Sequence, residues 1–206
     1  MAAYLSALGD SSSERIIEKS RFITYVKHVE SEEEAKAYLN ELHALHPLAT
    51  HICYAYVADK TGNFVRFSDD GEPQGTAGMP ILGVIKAKKL FETLVAVVRY
   101  FGGIKLGAGG LTRAYSGCAA EGVNGAKIAL YDTCVEVSVG VAYSDVKTLT
   151  RFAEDKLLLD RQYAEKTVFT FRIRECDEKE FITAVQNEFR GRAEIEKKGK
   201  GYYPCE

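Results

Sequence analysis

The sequence lacks the run of about 18 apolar residues that a membrane-spanning helix requires. Its opening, MAAYLSALGD, has neither the positive flank nor the apolar stretch of a signal peptide, so no secretory leader is expected. Five cysteines, at 53, 118, 134, 176 and 205, are odd in number and show no CxxC or CxxH spacing. That argues against a disulfide framework and a zinc knuckle, and it leaves reduced thiols in a cytoplasmic protein as the expectation. A P-loop, a dinucleotide-spaced GxGxxG, GxSxG, HExxH and the kinase signatures are all missing, so no catalytic residue is named and no cofactor is called for. Nor is positive charge in excess. Residues 1–134 carry 14 basic and 15 acidic groups, and residues 135–206 carry 13 and 14. A bulk nucleic-acid binder is strongly basic, so any RNA contact must come from a local patch, and no DNA specificity or membrane contact is expected.

What is present reads as an α+β chain with ample core for one large or two small domains. Ser31 and Glu34 form a capping box before the apolar face of Ala35, Tyr38, Leu39, Leu42 and Leu45, which predicts a helix over 31–45 that Pro47 stops. RFITYVKHV before it reads as a strand, and HICYAYVAD with NFVRFSD as a hairpin turning at Lys60-Thr61-Gly62. ETLVAVVRYF is continuously apolar and β-branched, the pattern of a strand covered on both faces. In the second half Val135, Val137, Val139, Val141 and Tyr143 alternate, followed by a helix capped by Ser144, strands near 159–164 and 167–174, a helix from Asp177 to a stop at Gly191, and a last strand RAEIEKK. That β-α-β-β-α-β order is the split, ferredoxin-like pattern, and it places a domain boundary near Thr133–Val135, with domains 1–134 and 135–206.

Two stretches carry the chemistry. RYFGGIKLGAGGLTRAY, residues 99–115, runs from a strand through glycines into a helix expected near Gly109. A helix N-terminus offers unpaired N–H groups and a positive dipole end, and glycines let an anion approach the backbone. Arg99, Lys105 and Arg113 add cations. The phosphate- or RNA-binding set is therefore Arg99, Gly102, Gly103, Lys105, Gly107, Gly109, Gly110, Arg113 and Tyr115, with the three cations expected around one concave surface. Tyr100, Phe101 and Tyr115 are placed to stack on bases. The second stretch, SDDGEPQGTAGMPIL, brings Asp69, Asp70 and Glu72 into a turn, a metal or polar site if the carboxylates converge and a solvated turn if they do not. His51 and Cys53 point the same way on a strand, but no third, orienting group can be named for a catalytic dyad. Lys86, Lys88 and Lys89, and the late group Arg190, Arg192, Lys197, Lys198 and Lys200, read as solvated charge.

RFSDDGEPQGTAGMPILGVI followed by VVRYFGGIKLGAGGLTRAY resembles the IMPACT/YigZ family (UPF0029), as do KSRFI at 19–23 and HICYAY at 51–56. The resemblance covers roughly residues 15–125 and, through the two-domain bacterial members, most of the chain. It implies a first domain like domain 2 of ribosomal protein S5 and a second like the ferredoxin-like C-terminal domain of elongation factor G. Eukaryotic members regulate translation through protein–protein contacts, a partner not carried over to this sequence. Both domain types recur in translation proteins, which makes a translation-associated factor contacting RNA or the ribosome the leading reading. An enzyme acting on a nucleotide or phosphorylated small molecule at the same loop, and a protein-binding regulator without a phosphate site, are the alternatives, since fold does not fix function.

Overall fold

The computed structural model describes residues 3–205. It divides into two compact units, Tyr4–Ala129 and a second beginning at Leu130. The chain is α+β throughout. Its elements in order are β1 (Tyr4–Ala7), β2 (Ser11–Ile17), β3 (Ser20–His28), α1 (Glu32–Leu45), β4 (His51–Val57), β5 (Val65–Ser68), α2 (Gly78–Ala87), β6 (Thr93–Tyr100), α3 (Gly107–Gly125), β7 (Ile128–Val141), α4 (Val146–Phe152), β8 (Leu158–Tyr163), β9 (Thr167–Arg174), α5 (Glu178–Glu188) and β10 (Glu194–Cys205).

In the first unit an antiparallel sheet runs in the order β2-β3-β6-β4-β5. Strand β6 is its middle, and alternation divides its side chains between two cores. Val95 and Val97 pack with Ile81, Ile85, Leu111 and Tyr115 of α2 and α3. Leu94 and Ala96 pack with Ala35, Leu39 and Leu42 of α1. Covered on both faces, the strand can be apolar from end to end, as its sequence predicts. Half of the capping box forms as expected: Ser31 Oγ accepts the Glu34 N–H at 3.2 Å, while the Glu34 carboxylate reaches past the cap to the Glu30 N–H at 2.8 Å.

The second unit has the strand order β10-β7-β9-β8 with every pairing antiparallel, which is the ferredoxin-like arrangement read from the sequence. Val135, Val137, Val139 and Val141 face Leu149, Phe181, Val185 and Phe189 of the two helices. Strand β7 is longer than its alternating valines, so it runs unbroken through Thr133–Val135, and the division between units falls nearer its start. β10 is also longer than RAEIEKK, because it continues to Cys205 past an irregularity between Lys197 and Gly199. Among the described residues no helix is long and apolar enough to cross a membrane.

Candidate functional site

The glycine stretch begins where β6 ends. A Cβ on Gly102 would lie 2.0 Å from the Lys19 carbonyl carbon and 2.4 Å from the Ser20 nitrogen, so only glycine lets this loop pass the β2–β3 turn. Ser20 Oγ accepts the Gly102 N–H at 3.2 Å, and Thr50 Oγ1 accepts that of Phe101 at 3.0 Å. Gly103 and Gly107 take φ of +84° and +70°, a left-handed backbone in which side chains are strained. Gly109 meets only the Arg113 side chain, at 3.7 Å, so no packing demand accounts for it. Helix α3 starts at Gly107, two residues earlier than the sequence suggested, with no side-chain cap and no acidic residue in its first turn. Its first N–H groups are left for solvent or an anion.

Arg99 does not join Lys105 and Arg113 at this surface. Alternation along β6 turns it to the same side as Val95 and Val97, where it is only 4% exposed. A charge so buried needs a partner. Arg99 Nη1 donates to Glu72 Oε1 at 2.6 Å, Nη2 donates to Ser20 Oγ at 3.3 Å, and the Tyr115 hydroxyl donates to the same Glu72 oxygen at 2.8 Å. The guanidinium also lies against the rings of Phe22 and Phe101, 5.4 and 5.5 Å from their centroids. Burial pushes the Tyr115 phenol far up, so it stays a neutral donor. The Arg99–Glu72–Tyr115 network is the internal brace under the glycine loop. Tyr115 is wholly buried and Tyr100 bonds His46 through its hydroxyl, which leaves Phe101 as the exposed aromatic of the three proposed for stacking.

The three carboxylates of the acidic turn each do something different. Asp69 accepts N–H groups of Gly75 at 2.8 Å, Ala77 at 3.0 Å and Gly78 at 2.8 Å, and so caps α2 from eight residues upstream. Burial raises its pKa, but the three backbone bonds outweigh this and hold the carboxyl below its ordinary range. Asp70 Oδ2 accepts the Ile52 N–H at 2.6 Å, and Glu72 belongs to Arg99. Among the described residues, the three do not gather as a set of metal ligands. His51 and Cys53 do share a face, but His51 Nδ1 is bonded to the Asp70 carbonyl at 2.7 Å and the Cys53 thiol donates to the Asp69 carbonyl at 3.0 Å. Burial pushes the Cys53 thiol up to about 12, far from a reactive thiolate.

What does form near the loop is a cleft of about 440 Å³ lined by Arg15, Lys105 and Arg113, by one carboxylate, Glu18, and by Leu106 and Gly110 of the α3 start. Lys105 and Arg113 are exposed and have no carboxylate partner among the described residues. Arg15 reaches Glu121 at 3.4 Å across an exposed, weak contact. Arg15 was missed because SSSERII was not read as a strand. The serines of this strand carry no apolar alternation, and Ile17 at its end packs on the core beneath α3.

Three of the late basic groups are already paired, and Lys86, Lys88 and Lys89 stand exposed to solvent. In the second unit Arg192 pairs with Asp145 at 3.2 Å, Lys200 with Glu175 at 2.5 Å, and Lys197 with Glu178. That unit also holds a cavity of about 720 Å³ between Phe152, Ile173 and Phe181. Four of the charged groups in its lining pair with one another, Arg174 with Asp177 at 2.8 Å and Lys156 with Asp155 at 2.5 Å.

Residues 18–123, which contain the glycine stretch, the brace and most of the cleft, match the model of the Impact N-terminal domain. The chain belongs to the IMPACT family. It is 46% identical over 122 residues to the IMPACT family member YvyE of Bacillus subtilis, a stretch covering 59% of this chain and 56% of that protein. To an IMPACT family member of Thermus thermophilus it is 50% identical over 133 residues, or 64% and 70% of the two chains. The matched stretch therefore spans about half to two thirds of the curated relatives. A crystal structure described as that of a hypothetical protein shares the fold at a TM-score of 0.64 and 30% identity, covering 95% of this chain and 97% of that one.

Proposed function

We propose that this IMPACT family member is a translation-associated regulatory factor that works in the cytoplasm and holds RNA phosphates, on the ribosome, in the cleft of Arg15, Lys105 and Arg113. The observation that carries this reading is the meeting of two unpaired cations with the uncapped start of α3. Phosphate oxygens accept from both kinds of donor, and the helix dipole adds to the attraction. Phe101, 48% exposed beside the loop, offers a ring on which a base can stack. The near-neutral charge of the rest of the protein suits a local grip rather than a coat on nucleic acid.

A salt series of binding to a single-stranded RNA oligonucleotide, read by fluorescence anisotropy, tests it. Arg113→Ala and Lys105→Ala should each weaken binding while flattening the salt slope by about one released ion per lost contact. Affinity independent of both side chains would refute the cleft as the RNA site. A protein-binding role would then be favoured.

A further inference from the structure

At the far end of β3 and β6 from the glycine loop, three ligand-type side chains converge. His28 Nε2 lies 3.3 Å from Glu30 Oε1 and 3.9 Å from Glu92 Oε2, and one ligand atom from each residue falls within 4.8 Å of the others. Glu92 is buried at a φ of +47°, an unfavourable backbone for a non-glycine residue that the fold maintains here. The Tyr4 hydroxyl donates to Glu92 Oε2, and Lys60 Nζ stands 3.9 Å from the other oxygen.

The imidazole is oriented from behind. Ser6 Oγ lies 2.7 Å from His28 Nδ1 and donates its proton to the Glu92 carbonyl at 3.0 Å. Having given up that proton, Ser6 Oγ accepts from Nδ1–H. The Nε2 atom is then the one aimed at the two carboxylate oxygens. Two ligand atoms on a tetrahedral ion with bonds of about 2.0–2.1 Å stand about 3.3–3.4 Å apart, close to the first separation and within a small side-chain shift of the second.

We propose that His28, Glu30 and Glu92 form a binding site for a borderline divalent transition-metal ion of the zinc class. One imidazole nitrogen and two carboxylate oxygens suit such an ion, and solvent completes its coordination on the exposed Glu30 side. Ser6 and Tyr4 supply the outer hydrogen bonds that metal-binding histidines and carboxylates commonly have. The site would tie the loops before α1 and before β6 together.

The test uses the full chain, stripped with a chelator and titrated with Co²⁺ and then Zn²⁺ alone. The proposal predicts one tightly bound Co²⁺ per chain with visible d–d bands, no thiolate charge-transfer band, and displacement by Zn²⁺. Glu30→Gln, at an exposed side chain, should weaken binding about tenfold or more while leaving the fold intact, and His28→Phe should abolish it. Absent binding, a thiolate band that places the ion on cysteines, or an affinity unchanged in Glu30→Gln would each overturn the site. Should His28→Phe fail to fold, Glu30→Gln decides the matter.

Discussion

Replacing Arg99 with alanine separates the brace from the cleft. Glu72, at 4% side-chain exposure, would keep the Tyr115 hydroxyl and the His51 ring 3.9 Å away but lose its guanidinium, and the phenyl rings of Phe22 and Phe101 would lose that group as well. Removing one partner of a buried ion pair costs about 3–5 kcal/mol, because the remaining charge stays desolvated. At roughly 4 °C per kcal/mol for a unit of this size, the melting temperature should fall by about 12–20 °C. Arg99→Ala combined with Glu72→Gln keeps an oxygen for Tyr115 and removes both charges. The pair should lose less than the sum of the single changes, with a coupling of about 1–3 kcal/mol. Calorimetry on the four proteins gives the cycle, and RNA affinity is measured well below each melting temperature. A melting temperature within about 2 °C of the parent, joined to lost RNA binding, would refute the brace and return Arg99 to the ligand surface.

Two further outcomes follow from the same geometry. Asp69 has its pKa depressed in the folded state, so the stability it contributes is present above its unfolded pKa and is lost as pH falls through the folded value. Asp69→Ala should therefore lower stability at pH 7 by about 1–2 kcal/mol, the usual cost of a lost cap, and flatten the acid limb of a denaturation series; an unchanged acid limb would mean another group is responsible. Native alkylation at pH 8 should modify the exposed Cys176 while sparing the buried Cys53, whose thiol titrates near 12; rapid labelling of Cys53 would revive the Cys–His reading.

The elements with strong periodicity were legible: α1 from its capping box, β6 from its unbroken apolar run, and the second unit from its order of elements. β1 and β2 were not, because Ser11, Ser12 and Ser13 carry none of the β-branched signal by which strands are read. The glycine stretch stands out in the sequence, but Gly102, Gly103 and Gly107 answer to backbone geometry and Arg99 to burial. The alternation that hides Arg99 is visible in VAVVRY only once both faces of β6 are known to be covered. Its partner Glu72 lies 27 positions upstream in an acidic turn, where proximity in sequence suggested a shared site with Asp69 and Asp70. Long-range pairing of buried charges leaves no periodic trace. Asp69 capping α2 from eight residues away escaped for the same reason, since N-cap rules look one turn ahead.

The central claim is that the cleft at the start of α3 holds RNA phosphates on the ribosome. Co-sedimentation of the full chain with ribosomes across a salt series, beside the Arg15→Ala, Lys105→Ala, Arg113→Ala triple variant, tests it directly. Binding of the parent that weakens steeply with salt, and its loss in a variant that still melts like the parent, is the predicted result. Equal sedimentation of the two proteins, or none at low salt, would contradict it.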